Sequence, residues 1–374
     1  MKAVVVTLAT ALAITGAPLS PASAATTPPS RDAVQKVLDG LVHDDGFPGA
    51  LASVRQADGR TRNLTSGVGD LRTGARVPVD GKVRIASNTK MFTAVVVLQL
   101  VGEGKVALDE PVETYLPGLV RGAGDGRTIT VRQLLQHTSG LPDYDDVMIT
   151  DYFAIQHRYY EPREMLDVAL ARTDAPEHGT WSYSNTNYIL AGLLVQKVTG
   201  RPIGEEITNR IIKPLDLRDT YWPGVGDQEI RGAHPHGYHV AKPGDEWTDV
   251  TTMDPSMGWA AGQLIASPSD LNRFLTALIK GRLLAPAQLR EMQTTVDAPE
   301  FDTSGTAKYG LGIATFDLSC GGVAWQHGGN APGYTTVDAV TTTGKSATIA
   351  VTALPTALPH VEHLENALDT ALCK

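Results

Sequence analysis

The sequence predicts an α/β fold: an antiparallel sheet flanked by helices, with a mostly helical subdomain inserted between the halves of the sheet. Three observations carry this. Strand patterns occur near both ends of the chain and not in its middle. The middle reads as helices and long loops. One segment, opened by Ser87 and running through Met91, Phe92, Ala94–Leu98, Leu100 and Val101, is apolar on nearly all sides. A helix of that kind has to be covered all round, which makes it the centre of the molecule.

The elements follow in order. A leader comes first: Lys2, an apolar run from Ala3 to Ala17, a break at Pro18–Pro21, then the small-x-small triplet Ala22-Ser23-Ala24. This is the pattern of an export signal, so residues 1–24 are expected to be removed and the mature protein to be secreted. The apolar run is short for a bilayer span, and no later stretch replaces it. An apolar helix is expected from about Arg31 to Leu41. Strands follow near Ala50–Gln56 and Arg62–Val68, joined at the turn signal Asp58-Gly59. Gly102 and Gly104 end the apolar helix.

Thr130 and Gln133 have capping-box spacing before Leu134 and Leu135. Helices are expected over Glu164–Arg172, Tyr188–Thr199, Leu271–Lys280 and Ala285–Met292. The period then changes. Tyr309–Phe316, Val323–Gln326, Tyr334–Val340 and Ser346–Ala353 read as strands, with Thr343-Gly344-Lys345 as a turn, and His360–Leu372 as a closing amphipathic helix. Residues 31–80 and 255–374 would then form the sheet domain. Residues 81–254 would form the helical subdomain, with the apolar helix at the interface.

Composition excludes several classes. Over 374 residues, 42% are hydrophobic, 20% are charged and the formal charge is −9. That is a globular chain, neither disordered nor built as a non-specific nucleic-acid binder. Cys320 and Cys373 are the only cysteines. Export places them in an oxidising compartment, where they form one intrachain disulfide or remain two buried thiols. Their separation lacks metal-ligand spacing. His234 and His236 read as ordinary loop residues, and neither a metal nor an organic cofactor is expected.

Three segments carry chemistry. Ser87-Asn88-Thr89-Lys90 puts a hydroxyl and an amine one helical turn apart, on one face. Lys90 leads into the buried run, and a desolvated lysine loses preference for its proton, so it can accept one from Ser87. Tyr183-Ser184-Asn185 opens a helix. A lysine ammonium beside Tyr183 would favour its phenolate, as a base or proton relay, and Asn185 can donate to a substrate carbonyl while orienting Lys90. His327-Gly328-Gly329-Asn330 lies between candidate strands. Its glycines let a backbone edge approach a ligand closely, and His327 offers a hydrogen bond. Each has a plain structural alternative: an N-cap, a polar turn and a glycine turn.

Together, in this order, the three resemble the motifs of the serine penicillin-recognising hydrolases, the beta-lactamase/transpeptidase-like group of DD-peptidases, class C beta-lactamases, D-aminopeptidases, esterases and amidases. Ser87-x-x-Lys90 is similar to its first motif, Tyr183-x-Asn185 to its second, His327-x-Gly329 to its third. Thr114–Leu119, Tyr183–Asn187 and Asp317–Gly321 resemble the secreted D-alanyl-D-alanine carboxypeptidases of the group, across essentially the whole mature chain.

The resemblance implies a role for each residue. Ser87 is the acylated nucleophile, Lys90 its proton partner and Tyr183 the proton carrier. Asn185 binds the acyl-side amide, and His327 stands beside Tyr183. The backbone N–H groups of Ser87 and Asn330 form the oxyanion hole, Gly328 and Gly329 line the substrate strand, and Trp259 is a cleft aromatic. It also implies a Cys320–Cys373 disulfide.

The departures concern substrate. Where those carboxypeptidases have a hydroxyl residue in the third motif, this chain has Gly328. Where they have an arginine for the substrate's terminal carboxylate, alignment places Ala314. Losing an arginine–carboxylate pair penalises free-acid leaving groups. The expected activity is therefore that of a D-stereospecific peptidase or amidohydrolase, a monomer acting on D-amino-acid-containing peptides, amides or esters. Peptidoglycan stem peptides and beta-lactams are further candidate ligands. A D-alanyl-D-alanine carboxypeptidase and a beta-lactamase-like esterase are the alternatives. Arg163, Arg273 and Arg282 are the candidates to supply the missing charge.

Overall fold

The computed structural model describes residues 32–374, which form one compact unit. The expected export signal and Arg31 lie outside the described residues. No helix among the described residues is long and apolar enough to cross a membrane.

The sheet is assembled from the two ends of the chain. Its strands are β1 (Gly49–Arg55), β2 (Thr61–Asp70), β3 (Ala75–Arg76), β4 (Val296–Asp297), β5 (Lys308–Tyr309), β6 (Ala314–Asp317), β7 (Val323–Ala331), β8 (Tyr334–Thr341) and β9 (Ser346–Val351). The order is β3-β2-β1-β9-β8-β7-β6-β5-β4, antiparallel throughout. The seam between early and late chain is β1 against β9, with Ala50 opposite Val351 and Val54 opposite Ala347.

Period-two alternation sorts β1 between two layers. Ala50, Ala52 and Val54 face helices α1 (Ala33–His43) and α8 (Leu358–Cys373). Leu51 faces the other way, into the main core with α2 (Thr89–Gly102), α5 (Thr186–Thr199) and α6 (Pro268–Ile279). Three further helices are α3 (Val131–Gln136), α4 (Pro162–Leu170) and α7 (Pro286–Met292), and the others are of one turn or little more.

Helix α2 is buried on every side, as the sequence requires. Met91, Phe92, Ala94–Leu98 and Leu100 have no exposed surface. Phe92 stacks on Phe274 of α6 at 3.8 Å between ring centroids. Each such large side chain contributes roughly 1.5–3 kcal/mol of burial. The Thr130/Gln133 capping box forms and starts α3.

The disulfide joins Cys320, after β6, to Cys373 at the end of α8, 53 residues apart. Closing a loop of that size restricts the unfolded chain by about 4 kcal/mol on the loop-entropy argument.

Two expectations need correction. The strand expected over Tyr309–Phe316 is broken into β5 and β6. Gly310 and Gly312 form the break: a Cβ on Gly310 would lie 2.1 Å from the Met292 carbonyl oxygen, and Gly312 has φ +79°. The segment His327–Asn330 does not lie between strands. It lies inside β7, with Gly328 opposite Val337 and Asn330 opposite Thr335. Gly329 is required there because a Cβ would sit 2.1 Å from the Ile85 carbonyl oxygen. Close approach, not a turn, explains these glycines.

Candidate active site

Ser87 sits in a single 3₁₀ turn, Ala86–Asn88, that leads straight into α2. Ala86 before it has φ +44°, a conformation that L-residues rarely adopt. Lys90, one turn on, has no exposed surface. Its Nζ reaches Ser87 Oγ at 3.0 Å, Asn185 Oδ1 at 2.6 Å and the Ala261 carbonyl at 2.9 Å. It also lies 4.9 Å from the Tyr183 ring centroid.

That geometry fixes what Lys90 can do. Asn185 Oδ1 and the Ala261 carbonyl are acceptors, so they hold two N–H groups. The third direction, towards Ser87 Oγ, carries an N–H in the ammonium and a lone pair in the neutral amine. Burial pulls the Lys90 pKa down to about 7, against the opposing pull of Asp143 and Asp145. The neutral amine, able to take the Ser87 proton, is therefore accessible near neutrality.

Tyr183 lies beside Ser87, whose hydroxyl works against the rise of its pKa. Burial raises its pKa, which corrects the expectation that a neighbouring lysine would favour the phenolate. Tyr183 is a phenol here, and of the two groups Lys90 is the one able to accept a proton near neutrality. His137 fixes the Tyr183 segment. Its Nδ1 accepts from the Ser184 N–H at 3.2 Å and from Asn187 Nδ2 at 3.1 Å, and its ring stacks on Tyr183 at 4.4 Å. The Ser182 N–H donates to the His137 carbonyl at 2.8 Å. Burial holds the His137 pKa well below the usual range, so the ring is neutral.

Asn185 does half of what was expected. It orients Lys90 through Oδ1, but its Nδ2 already donates to Asp143 Oδ2 at 3.0 Å and to Asp145 Oδ2 at 2.8 Å. Both N–H groups are occupied, so a substrate carbonyl has to displace a carboxylate to reach them. Burial raises the pKa of both carboxyls, most clearly that of Asp145, to about 7.

His327 is likewise turned inward. Its Nε2 bonds the Tyr309 hydroxyl at 2.9 Å, and Nδ1 meets the Gly328 peptide. Burial pushes its pKa down to about 3, so it is neutral throughout the working pH range. Its ring centroid lies 6.4 Å from that of Tyr183.

One cleft of about 500 Å³ gathers Ser87, Tyr183, Asn185, His327, Gly328, Gly329 and Asn330, with Lys90 beneath Ser87. Trp259 is not in its lining. It has φ +33°, and its indole packs where Gly192 of α5 leaves room, 2.6 Å from the position of a Cβ there. Ala314 is fully buried opposite Gln326 and offers no charge. Arg163, Arg273 and Arg282 are also outside the lining. Arg163 pairs with Asp167, and Arg273 with Asp270.

Asp143, Asp145, His137 and Tyr309 were not singled out in the sequence. A His-Thr-Ser-Gly turn and an Asp-Tyr-Asp-Asp run give no local signal of chemistry. Only the fold brings them to Lys90.

The fold and the Ser87–Lys90–Tyr183 cluster are those of a serine hydrolase. A family model described as Beta-lactamase matches residues 34–372, and the chain belongs to the beta-lactamase family.

Among solved structures, a D-stereospecific amidohydrolase from Streptomyces sp. superposes with a TM-score of 0.81. It is 38% identical over 90% of this chain and 98% of that one. D-amino acid amidase from Ochrobactrum anthropi SV3, complexed with D-phenylalanine, gives a TM-score of 0.79 at 29% identity, over 91% of this chain and 97% of the other. Penicillin-binding protein 4 of Amycolatopsis lactamdurans is 31% identical over 64% of this chain. Penicillin-binding protein 4* of Bacillus subtilis is 27% identical over 68% of it. The matches span only 61% and 56% of those two relatives.

Proposed function

We propose that this chain is a secreted D-stereospecific amidohydrolase or peptidase that works through a Ser87 acyl-enzyme. Neutral Lys90 takes the Ser87 proton as Oγ attacks the carbonyl on the C-terminal side of a D-residue. The backbone N–H groups of Ser87 and Asn330 receive the oxyanion, where such donors stabilise developing charge by a few kcal/mol. Tyr183 passes a proton to the leaving amine or alcohol. Water, activated by the reverse transfer, releases the acid. Gly328, Gly329 and Asn330 offer their strand to the substrate.

The observation that carries this reading is the hydrogen-bonding of Lys90, with two N–H groups held by acceptors and the third direction aimed at Ser87. The lean towards amides rests on Ala314, where a carboxylate-binding arginine would stand. The likeness to a D-stereospecific amidohydrolase and a D-amino acid amidase supports it. The leader and the Cys320–Cys373 disulfide are compatible with export.

The test compares one N-acylated peptide ending in D-Ala-D-Ala as free acid and as C-terminal amide, with Ser87→Ala protein as blank. Equal or faster cleavage of the amide is expected. Faster cleavage of the free acid would instead make the enzyme a carboxypeptidase, and Ser87-independent turnover would remove the mechanism.

A further inference from the structure

Aromatic rings stand together on one side of the cleft around Ser87. Trp181, Tyr183, Phe301 and His327 all line it. The first three are half-buried, so part of each ring is left uncovered. Phe301 joins the set. Its ring meets that of His327 edge-on at 5.3 Å and lies 6.4 Å from those of Tyr183 and Trp181.

The surface behind these rings is apolar. Ala298, Tyr309 and Ala314 form a small buried cluster of their own, and Trp181 and Phe301 pack against it. The Tyr309 ring lies 5.1 Å from Phe301 and 6.0 Å from Trp181. Its hydroxyl is bonded to His327. Ala314 is the position at which the carboxypeptidase arginine would stand. Losing the arginine has therefore left a continuous apolar wall in place of the carboxylate clamp.

Proton transfer determines which part of a substrate meets that wall. On the hydrolase reading above, Ser87 Oγ adds to the carbonyl carbon, the C–N bond breaks, and the leaving nitrogen takes its proton by way of Tyr183. Water then adds to the acyl-enzyme ester, which releases the acid and restores the Ser87 hydroxyl. The leaving nitrogen departs past Tyr183, so whatever it carries lies against Phe301 and against Trp181, two residues before Tyr183 in the chain. The acyl part is left the other direction of β7, towards Asn330 and Ala331, which also line the cleft. Rings that are uncovered on one side, over an apolar wall, are best completed by another ring. Ring pairs in edge-on or offset geometry gain more than their buried area alone provides.

We propose that Trp181 and Phe301, packed over Ala314, form a leaving-group subsite for an aromatic ring, so that the preferred substrates are D-residue amides or peptides whose leaving amine carries one. Primary amides, which release ammonia, leave this subsite empty. The proposal rests on the hydrolase reading and goes further, because it names what takes the place of the lost carboxylate clamp.

The experiment compares D-alanyl 2-phenylethylamide with D-alanyl propylamide, whose leaving amines carry the same charge and bring no second stereocentre. The kcat/KM ratio should favour the phenylethylamide about tenfold or more. In the Trp181→Ala/Phe301→Ala protein the ratio should fall towards one. Phe301→Leu alone, which keeps apolar bulk at a half-buried position, should lower it in part and guards against misfolding of the double variant.

Equal rates for the two amides in the unmodified protein, or a ratio unmoved by the double variant, would overturn the subsite. Absence of Ser87-dependent turnover on both amides would overturn the hydrolase reading instead. The subsite is then read directly by calorimetry with 2-phenylethylamine against propylamine. Tighter binding of the aromatic amine supports it, and no difference removes it.

Discussion

The two walls of the cleft do their work by different means. The helical wall, Ser87 and Lys90 at the head of α2 and Tyr183 and Asn185 before α5, acts through side chains. Lys90 is buried and the other three are half-buried; Lys90 is bonded to Ser87 and Asn185, and desolvation lowers the Lys90 pKa and raises that of Tyr183. The strand wall, β7, offers mainly backbone. Its one ionisable side chain in the motif, His327, is turned to Tyr309 and held neutral, and its two glycines keep Cβ atoms away from the neighbouring chain. The contrast teaches where chemistry and specificity reside. On the proposed function, the helical wall would set the rate of bond breaking, whereas the strand wall would set what is bound.

The harshest way to test that division is Ser87→Ala. Turnover on a D-amide should drop by on the order of 10⁴ or more, while the thermal unfolding midpoint stays within a few degrees. Retained turnover would mean that the helical wall does not carry the chemistry.

Next comes the pH dependence. With Lys90 at about 7 and active as the neutral amine, kcat/KM should fall about tenfold per pH unit below that value and level off above it. His327, at about 3, should contribute no inflection in that range. A rate that declined as pH rose through 7 would assign Lys90 the opposite role.

On the strand wall, Gly329→Ala has to push β7 off the Ile85 carbonyl, since its Cβ would sit 2.1 Å from that oxygen. A destabilisation of about 1–3 kcal/mol is expected from such overpacking, seen in urea unfolding, with activity lost alongside.

The mildest change is one residue away. Gly328→Ala meets only the Thr336 carbonyl oxygen, at 3.2 Å. Its stability should change by less than about 1 kcal/mol, and its effect should appear in KM rather than kcat. If both glycine variants behaved alike, the strand would not be held by the single close approach at Gly329.

The same contrast explains what was legible in the sequence. The helical wall was readable because Ser-x-x-Lys spacing and the apolar run of α2 are local and periodic. The strand wall was only partly readable. His327–Asn330 was expected as a backbone edge between strands, with a turn as its plain alternative, because glycine has low strand propensity and its reason for lying inside a strand, the Ile85 carbonyl, is about 240 residues away in sequence. Trp259 was assigned to the cleft by resemblance, yet it fills the notch over Gly192. Asp143 and Asp145 sit in an ordinary acidic loop, and only folding shows that they occupy the Asn185 amide intended for substrate. The strands and helices away from these close approaches lie within a few residues of where the pattern put them, because burial on one face fixes their period.

The pairing of β1 with β9 also governs when this fold can exist at all. The centre of the sheet joins Ala50 to Val351, so it cannot close until nearly the whole chain has left the ribosome. Until then β1 and β2 have a hairpin but no neighbour, and α1 has no α8 to complete its layer. Folding dominated by such distant pairings is slow and begins late. A chain that stays open until its last strand arrives remains threadable for as long as it is being made.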